Sequence, residues 1–253
     1  FPTLPKIPEE VGVPMATETL RTMIPKILFA VSTDQTRPTL TGALLQVTED
    51  ELRFIATDGH RLSLAKAAVD TVKGEELPDA IIPRKALAEL GKMLKEESGD
   101  VRLVPLENQM AFLLSKSRLI TRLIEGQFPN YQQVLPSPGG PGTVLRREDL
   151  LGALRRVSTM AGDRATPTVL EFKASRLVMS CTNVDLGEAK EELSMEYRGP
   201  EMTVGFNARY MLDFLTVAEG AEISIHINDS LSPALFEPRK GEGFSCVIMP
   251  MRI

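Results

Sequence analysis

The chain has 253 residues, 43% apolar and 25% charged, with a formal net charge of −5. That length allows one large domain or two ordinary ones with buried cores. The acidic balance argues against a protein that grips nucleic acid over its whole surface, and no apolar run approaches the roughly 18 residues that span a bilayer.

Residues 1–11, with Pro2, Pro5 and Pro8, read as an extended linker arriving from an upstream domain. No signal peptide opens the chain, and its start at Phe1 rather than Met marks an expected fragment or processed chain. Leu20, Ile24, Ile27 and Val31 recur at helical spacing, which predicts a helix over 16–29. Pro25 should kink or end it, because proline lacks the N–H that the ladder needs. Two alternating runs, 39–47 and 51–57, follow as a hairpin. Ile81-Ile82-Pro83 then leads into a helix over 83–95 with Leu87, Leu90 and Leu94 inside, followed by a strand at 101–104. Pro136-Ser137-Pro138-Gly139-Gly140-Pro141-Gly142 cannot continue either element and is placed as a junction.

Beyond it the same order returns. A helix over 146–160 carries Leu150, Leu151, Leu154 and Val157, and a hairpin spans 168–173 and 175–182. Val204-Gly205-Phe206-Asn207 leads into a helix over 207–217 with Met211, Phe214 and Leu215, and Ile223, Ile225 and Ile227 line one face of a last alternating strand. Pro83 and Asn207 are both favourable helix-start residues. Each copy thus reads strand, helix, three strands, then the same again. The expected class is α+β, with helices packed on antiparallel sheets. Domains are expected at 12–135 and 143–253, with 136–142 between them.

The four predicted helices hold eleven basic and five acidic residues, about +6, against about −11 for the rest of the chain. A basic helical side could face a polyanion, although by itself the surplus fits an ordinary solvated surface somewhat better. No aromatic residues interleave to stack bases, which favours duplex over single strands if nucleic acid is the partner. Cys181 and Cys246 sit in apolar strand-like runs and read as reduced, buried thiols of a cytosolic protein. No metal-ligand spacing is seen, and neither metal nor cofactor is expected.

Asp58 and His60 within Ala56-Thr57-Asp58-Gly59-His60-Arg61-Leu62 could form an acid–base pair. No nucleophile or metal cluster accompanies them, and Asp58-Gly59 also reads as a plain tight turn. A hydrolase would lose a chemical activity on substitution of His60 and keep any peptide binding.

The same run closely resembles the bacterial β sliding clamp family, together with Glu125-Gly126-Gln127-Phe128-Pro129-Asn130-Tyr131 and the terminal Met249-Pro250-Met251-Arg252-Ile253. The resemblance covers Phe1 to Ile253 and corresponds to the second and third of that family's three similar domains. It implies two tandem copies of the DNA-clamp fold and a non-catalytic accessory subunit of a DNA polymerase. It further implies a head-to-tail homodimeric ring around duplex DNA, opened by a clamp loader. DNA polymerase subunits and repair and translesion polymerases would dock by short peptides at the junction of these two domains. The docking residues implied are Leu40, Thr57, Gly59, His60, Arg61, Leu62, Pro129 and Val134, then Asn207, Tyr210, Leu231, Val247, Ile248, Met249, Pro250, Met251 and Arg252. A mostly apolar site with a few polar groups suits that task, and Met249 and Met251 would give an adaptable floor. Taken singly, Leu40, Leu62, Val134 and Leu231 also read as core residues. Gln133 stands where many relatives carry Arg, and Ala165 or a neighbour where some carry an aromatic. Arg37, Arg84 and Lys85 match positions that face DNA. A peptide-binding module that works without DNA is the second alternative, since the 253-residue chain is expected to be monomeric by itself.

Overall fold

The computed structural model describes residues 7, 12–48, 50–69, 77–136, 142–162, 166–240 and 243–253. The linker expectations for 1–11 and 136–142 fall largely outside these residues. The chain divides into two compact units, one ending at Gly59 and resuming over Leu64–Pro129, the other formed by His60–Ser63 and Asn130–Ile253.

The first unit runs β1 (Val13–Ala16), α1 (Thr17–Leu28), β2 (Gly42–Val47), β3 (Glu51–Thr57), β4 (Arg61–Ala68, from Leu64 in this unit), β5 (Leu77–Pro83), α2 (Arg84–Met93), β6 (Asp100–Pro105), β7 (Gln109–Leu113) and β8 (Arg118–Arg122). The second runs β9 (Thr143–Arg146), α3 (Arg147–Val157), β10 (Thr168–Lys173), β11 (Arg176–Asn183), β12 (Gly187–Ser194), β13 (Met202–Phe206), α4 (Ala208–Val217), β14 (Glu222–His226), β15 (Ala234–Pro238) and β16 (Phe244–Ile248). Strand, helix and three strands therefore occur twice in each unit, as the sequence pattern predicts.

The pairing exchanges strands between the halves. In the first unit β1 joins β6-β7-β8, while β5 joins β2-β3-β4. In the second, β13 joins β10-β11-β12 and β9 joins β14-β15-β16. Neighbouring strands pair antiparallel, with Leu44 opposite both Ile55 and Ile81, and Val169 opposite both Ser180 and Gly205. Each half thus lends its first strand to the sheet of the other, which locks the two halves of a unit together.

Burial follows the predicted periodicities. α1 buries Leu20, Met23, Ile24 and Ile27, and α2 buries Leu87 and Leu90. In the second unit α3 buries Leu150, Leu151, Leu154 and Val157. α4 buries Met211, Phe214 and Leu215, with Phe214 against Phe236 and Phe244. Fully burying one such side chain contributes on the order of 1.5–3 kcal/mol.

Asn207 caps α4, its side-chain oxygen accepting from the Arg209 N–H at 3.0 Å. Pro83 precedes α2 without a side-chain cap. In each unit an arginine of the first helix serves the end of the second. Arg21 donates to the Leu94 and Glu97 carbonyls, and Arg147 to those of Leu215 and Gly220. The Leu94 and Leu215 carbonyls lie at helix C-termini, where a cation is favoured by the exposed dipole end.

Pro25 does not end the helix, because α1 runs through it to Leu28. Pro25 lies on the exposed side, so water can serve the carbonyl its missing N–H would have bonded. The apolar stripe on the opposite side keeps the helix packed.

Candidate functional site

The His60–Ser63 stretch that opens β4 is part of the second unit, and the chain terminus comes to it. The Met249 N–H donates to the His60 carbonyl at 2.9 Å, and the Met251 N–H donates to the Gly205 carbonyl at 2.8 Å. Met251 and Gly205 form an isolated antiparallel bridge. A Cβ at Gly205 would stand 3.0 Å from Ile253 Cγ1 and 3.1 Å from the Met251 carbonyl oxygen, so glycine is what lets the last residues approach β13 this closely.

Beside this terminal strip, Arg61 is only 9% exposed. Its Nη1 lies 2.6 Å from Asp213 Oδ2, and its guanidinium carbon sits 4.4 Å from the centroid of the Tyr210 ring. Tyr210 and Asp213 are three residues apart on α4, which places them side by side on one helix face. A buried guanidinium is tolerable here because an ion pair and an aromatic face replace part of its hydration.

The other expected docking residues separate into buried and exposed sets. Leu40, Leu62, Val247 and Ile248 are buried. Among the described residues six large apolar side chains are exposed, and three of them, Val134 (39%), Leu231 (82%) and Met249 (40%), are on the expected list. Val134 and Leu231 are therefore not the core residues that they could equally have been. Leu231 sits on a loop held by Asp229, whose carboxylate accepts from the Leu231 and Ser232 N–H groups. Pro250 and Met251 are half-buried, and Arg252 is exposed.

Leu40, Thr57, Gly59 and Pro129 belong to the first unit. There Gly59 has φ +93° and donates its N–H to Thr57 Oγ1 at 3.1 Å, the tight turn that Asp58-Gly59 suggests. Arg37 Nη2 donates to the Asp58 carbonyl at 3.1 Å, and Nε lies 3.3 Å from Asp34 Oδ2. Thus Arg37, expected at DNA, also braces this turn. Arg84 and Lys85 are exposed in the first turn of α2, which holds no acidic residue. Cations there oppose the helix dipole, so their presence is not explained by helix stability. Gln133 is exposed, and Ala165 lies outside the described residues.

Cys181 and Cys246 are free and buried, and burial pushes the Cys181 thiol up. Among the described residues no group of His, Cys, Asp and Glu is placed to hold a metal, and no helix is long and apolar enough to cross a membrane. Asp213 and Gly205 are site residues that the sequence did not disclose. The Tyr210–Asp213 spacing was a signal for the first, and glycine inside a strand for the second.

The family model described as DNA polymerase III beta subunit, central domain, matches residues 14–130, and that of the C-terminal domain matches 132–252. The Pseudomonas putida β sliding clamp is 31% identical over 253 residues, covering 100% of this chain and 69% of the relative. The Bacillus subtilis β sliding clamp is 32% identical over 255 residues, covering 100% and 67%. The crystal structure of the DNA polymerase III β subunit from Pseudomonas aeruginosa superimposes with a TM-score of 0.94 at 31% identity, covering 100% of this chain and 69% of that one. The Bacillus subtilis clamp structure gives a TM-score of 0.93 at 33% identity, covering 100% and 67%. This chain therefore belongs to the β sliding clamp family, the processivity clamps of DNA polymerase III.

Proposed function

We propose that the protein is a non-catalytic subunit that acts in the cytoplasm as part of a head-to-tail homodimeric ring on duplex DNA. The ring docks polymerase subunits, the clamp loader and repair and translesion polymerases through short apolar peptides. The observation that carries the docking reading is the terminal strip of the second unit. There exposed Met249 lies next to His60, and the Arg61–Tyr210 stack stands beside them. Apolar side chains left in water around a few fixed polar groups suit an adaptable peptide site. Leu40, Thr57, Gly59 and Pro129 are further candidate contacts, each to be checked by single substitution.

Arg37, Arg84 and Lys85 would supply weak contacts to phosphates. A clamp must slide, and a grip on roughly 6–10 phosphates would oppose that. Topology retains the ring where affinity does not.

Griselimycin is bound in crystal structures of the clamps from Pseudomonas aeruginosa and Bartonella birtlesii, and it serves as the probe. Isothermal titration should show binding to this chain and a loss of about 30-fold in Met249→Ala, the size expected of a buried apolar anchor, ~2 kcal/mol. Absence of binding to the unmodified chain, or unchanged affinity in the variant, would count against the assignment.

A further inference from the structure

Asp213 takes part in no function assigned so far, yet its Oδ2 lies 2.6 Å from Nη1 of the nearly buried Arg61 guanidinium. We infer that Asp213 is a positioning residue, which fixes Arg61 over the Tyr210 ring and so sets the shape of the docking surface. The inference rests on the docking reading above and deepens it.

The ion pair and the aromatic contact restrain the guanidinium in different ways. Stacking at 4.4 Å above the Tyr210 ring fixes its height, but a cation is free to slide across an aromatic face at little cost. The charge-assisted bond from Nη1 to Asp213 is directional and fixes the lateral position. Both partners come from α4, one turn apart, so they move as one rigid piece. The helix start is itself set by the Asn207 cap. Arg61 comes from the opening of β4, next to the His60 carbonyl that holds Met249. The pose of Arg61 is therefore coupled to the terminal strip through one residue of backbone.

Loss of the carboxylate would take a counter-charge away from a desolvated cation. The guanidinium would turn toward water and uncover the Tyr210 ring, so a ligand would meet a different wall. Asparagine at 213 keeps the shape and one acceptor oxygen but removes the charge. Glutamate restores the charge on a longer arm.

The test is griselimycin titration of the 253-residue chain and its variants, with thermal unfolding recorded for each. Asp213→Asn should weaken binding about tenfold, and Asp213→Glu should recover to within about threefold of the unmodified chain. In an Arg61→Met background, Asp213→Asn should change affinity less than about twofold, because its effect passes through the arginine. An equal weakening in both backgrounds would mean that Asp213 meets the ligand itself, and would overturn the inference. So would full affinity in Asp213→Asn, or a loss of affinity that merely tracks a lowered unfolding temperature. If the unmodified chain does not bind griselimycin at all, the docking reading fails first; if it binds and Asp213→Asn is silent, only the positioning role fails.

Discussion

At the scale of single residues, the turn at Asp58-Gly59 shows how local chemistry is bound to the rest of the unit. Gly59 adopts φ +93°, and Arg37 reaches over to the Asp58 carbonyl while keeping its pair with Asp34. The Thr36 hydroxyl and N–H hold the Asp34 carboxyl below the ordinary aspartate value of 3.8, and Arg37 adds to this. A depressed carboxylate contributes stability that is fully present above 3.8 and lost as pH falls through its lowered folded value. An NMR titration of the Asp34 side-chain carboxyl should therefore give a midpoint below 3.8; a midpoint at or above it would remove the proposed tie to Thr36 and Arg37. The turn was legible in the sequence because Asp-Gly is a local signal. The Arg61–Asp213 pair was not, since its partners lie 152 positions apart and nothing in either neighbourhood names the other.

At the scale of elements, the helices were readable to within a few residues because their apolar stripes are regular and their flanks carry Pro83 and Asn207. The overruns of more than one residue fall where short tight turns, Leu94–Glu96 and Ser158–Ala161, extend α2 and α3. Strand β12 gave a weaker signal. Its residues alternate between exposed and half-exposed, so no apolar face marks it, and it is fixed instead by pairing along β11 and by the twofold contact of Arg156 with Glu191. Pro25 does not end its helix: the loss of one backbone hydrogen bond is outweighed by tertiary packing of Leu20, Met23, Ile24 and Ile27. The lost bond still has a consequence. Pro25→Ala should restore the missing donor and stabilise the protein by about 1–2 kcal/mol, after the unfolded-state entropy that proline removes is set against it. Denaturant unfolding would reveal this as a higher midpoint at constant slope, and a lower midpoint would mean that the ring makes contacts the helix needs.

At the scale of the whole molecule, the doubled strand–helix–three-strand order was visible, but the exchange of β1 with β5 and of β9 with β13 between sheets was not. Such pairings are long-range, and single-sequence periodicity carries no partner information. Family membership was legible from three motifs, because a short run with fixed spacing to two others is far more specific than any one of them. The proposed docking depends on the terminal strip, where Met249 and Met251 are held by the His60 and Gly205 carbonyls. The most direct measurement is griselimycin titration of a chain ending at Ile248. Binding should fall at least 100-fold, by about 2.7 kcal/mol or more, while the unfolding midpoint stays close to that of the unmodified chain. A truncated chain that binds with undiminished affinity would show that partners dock elsewhere.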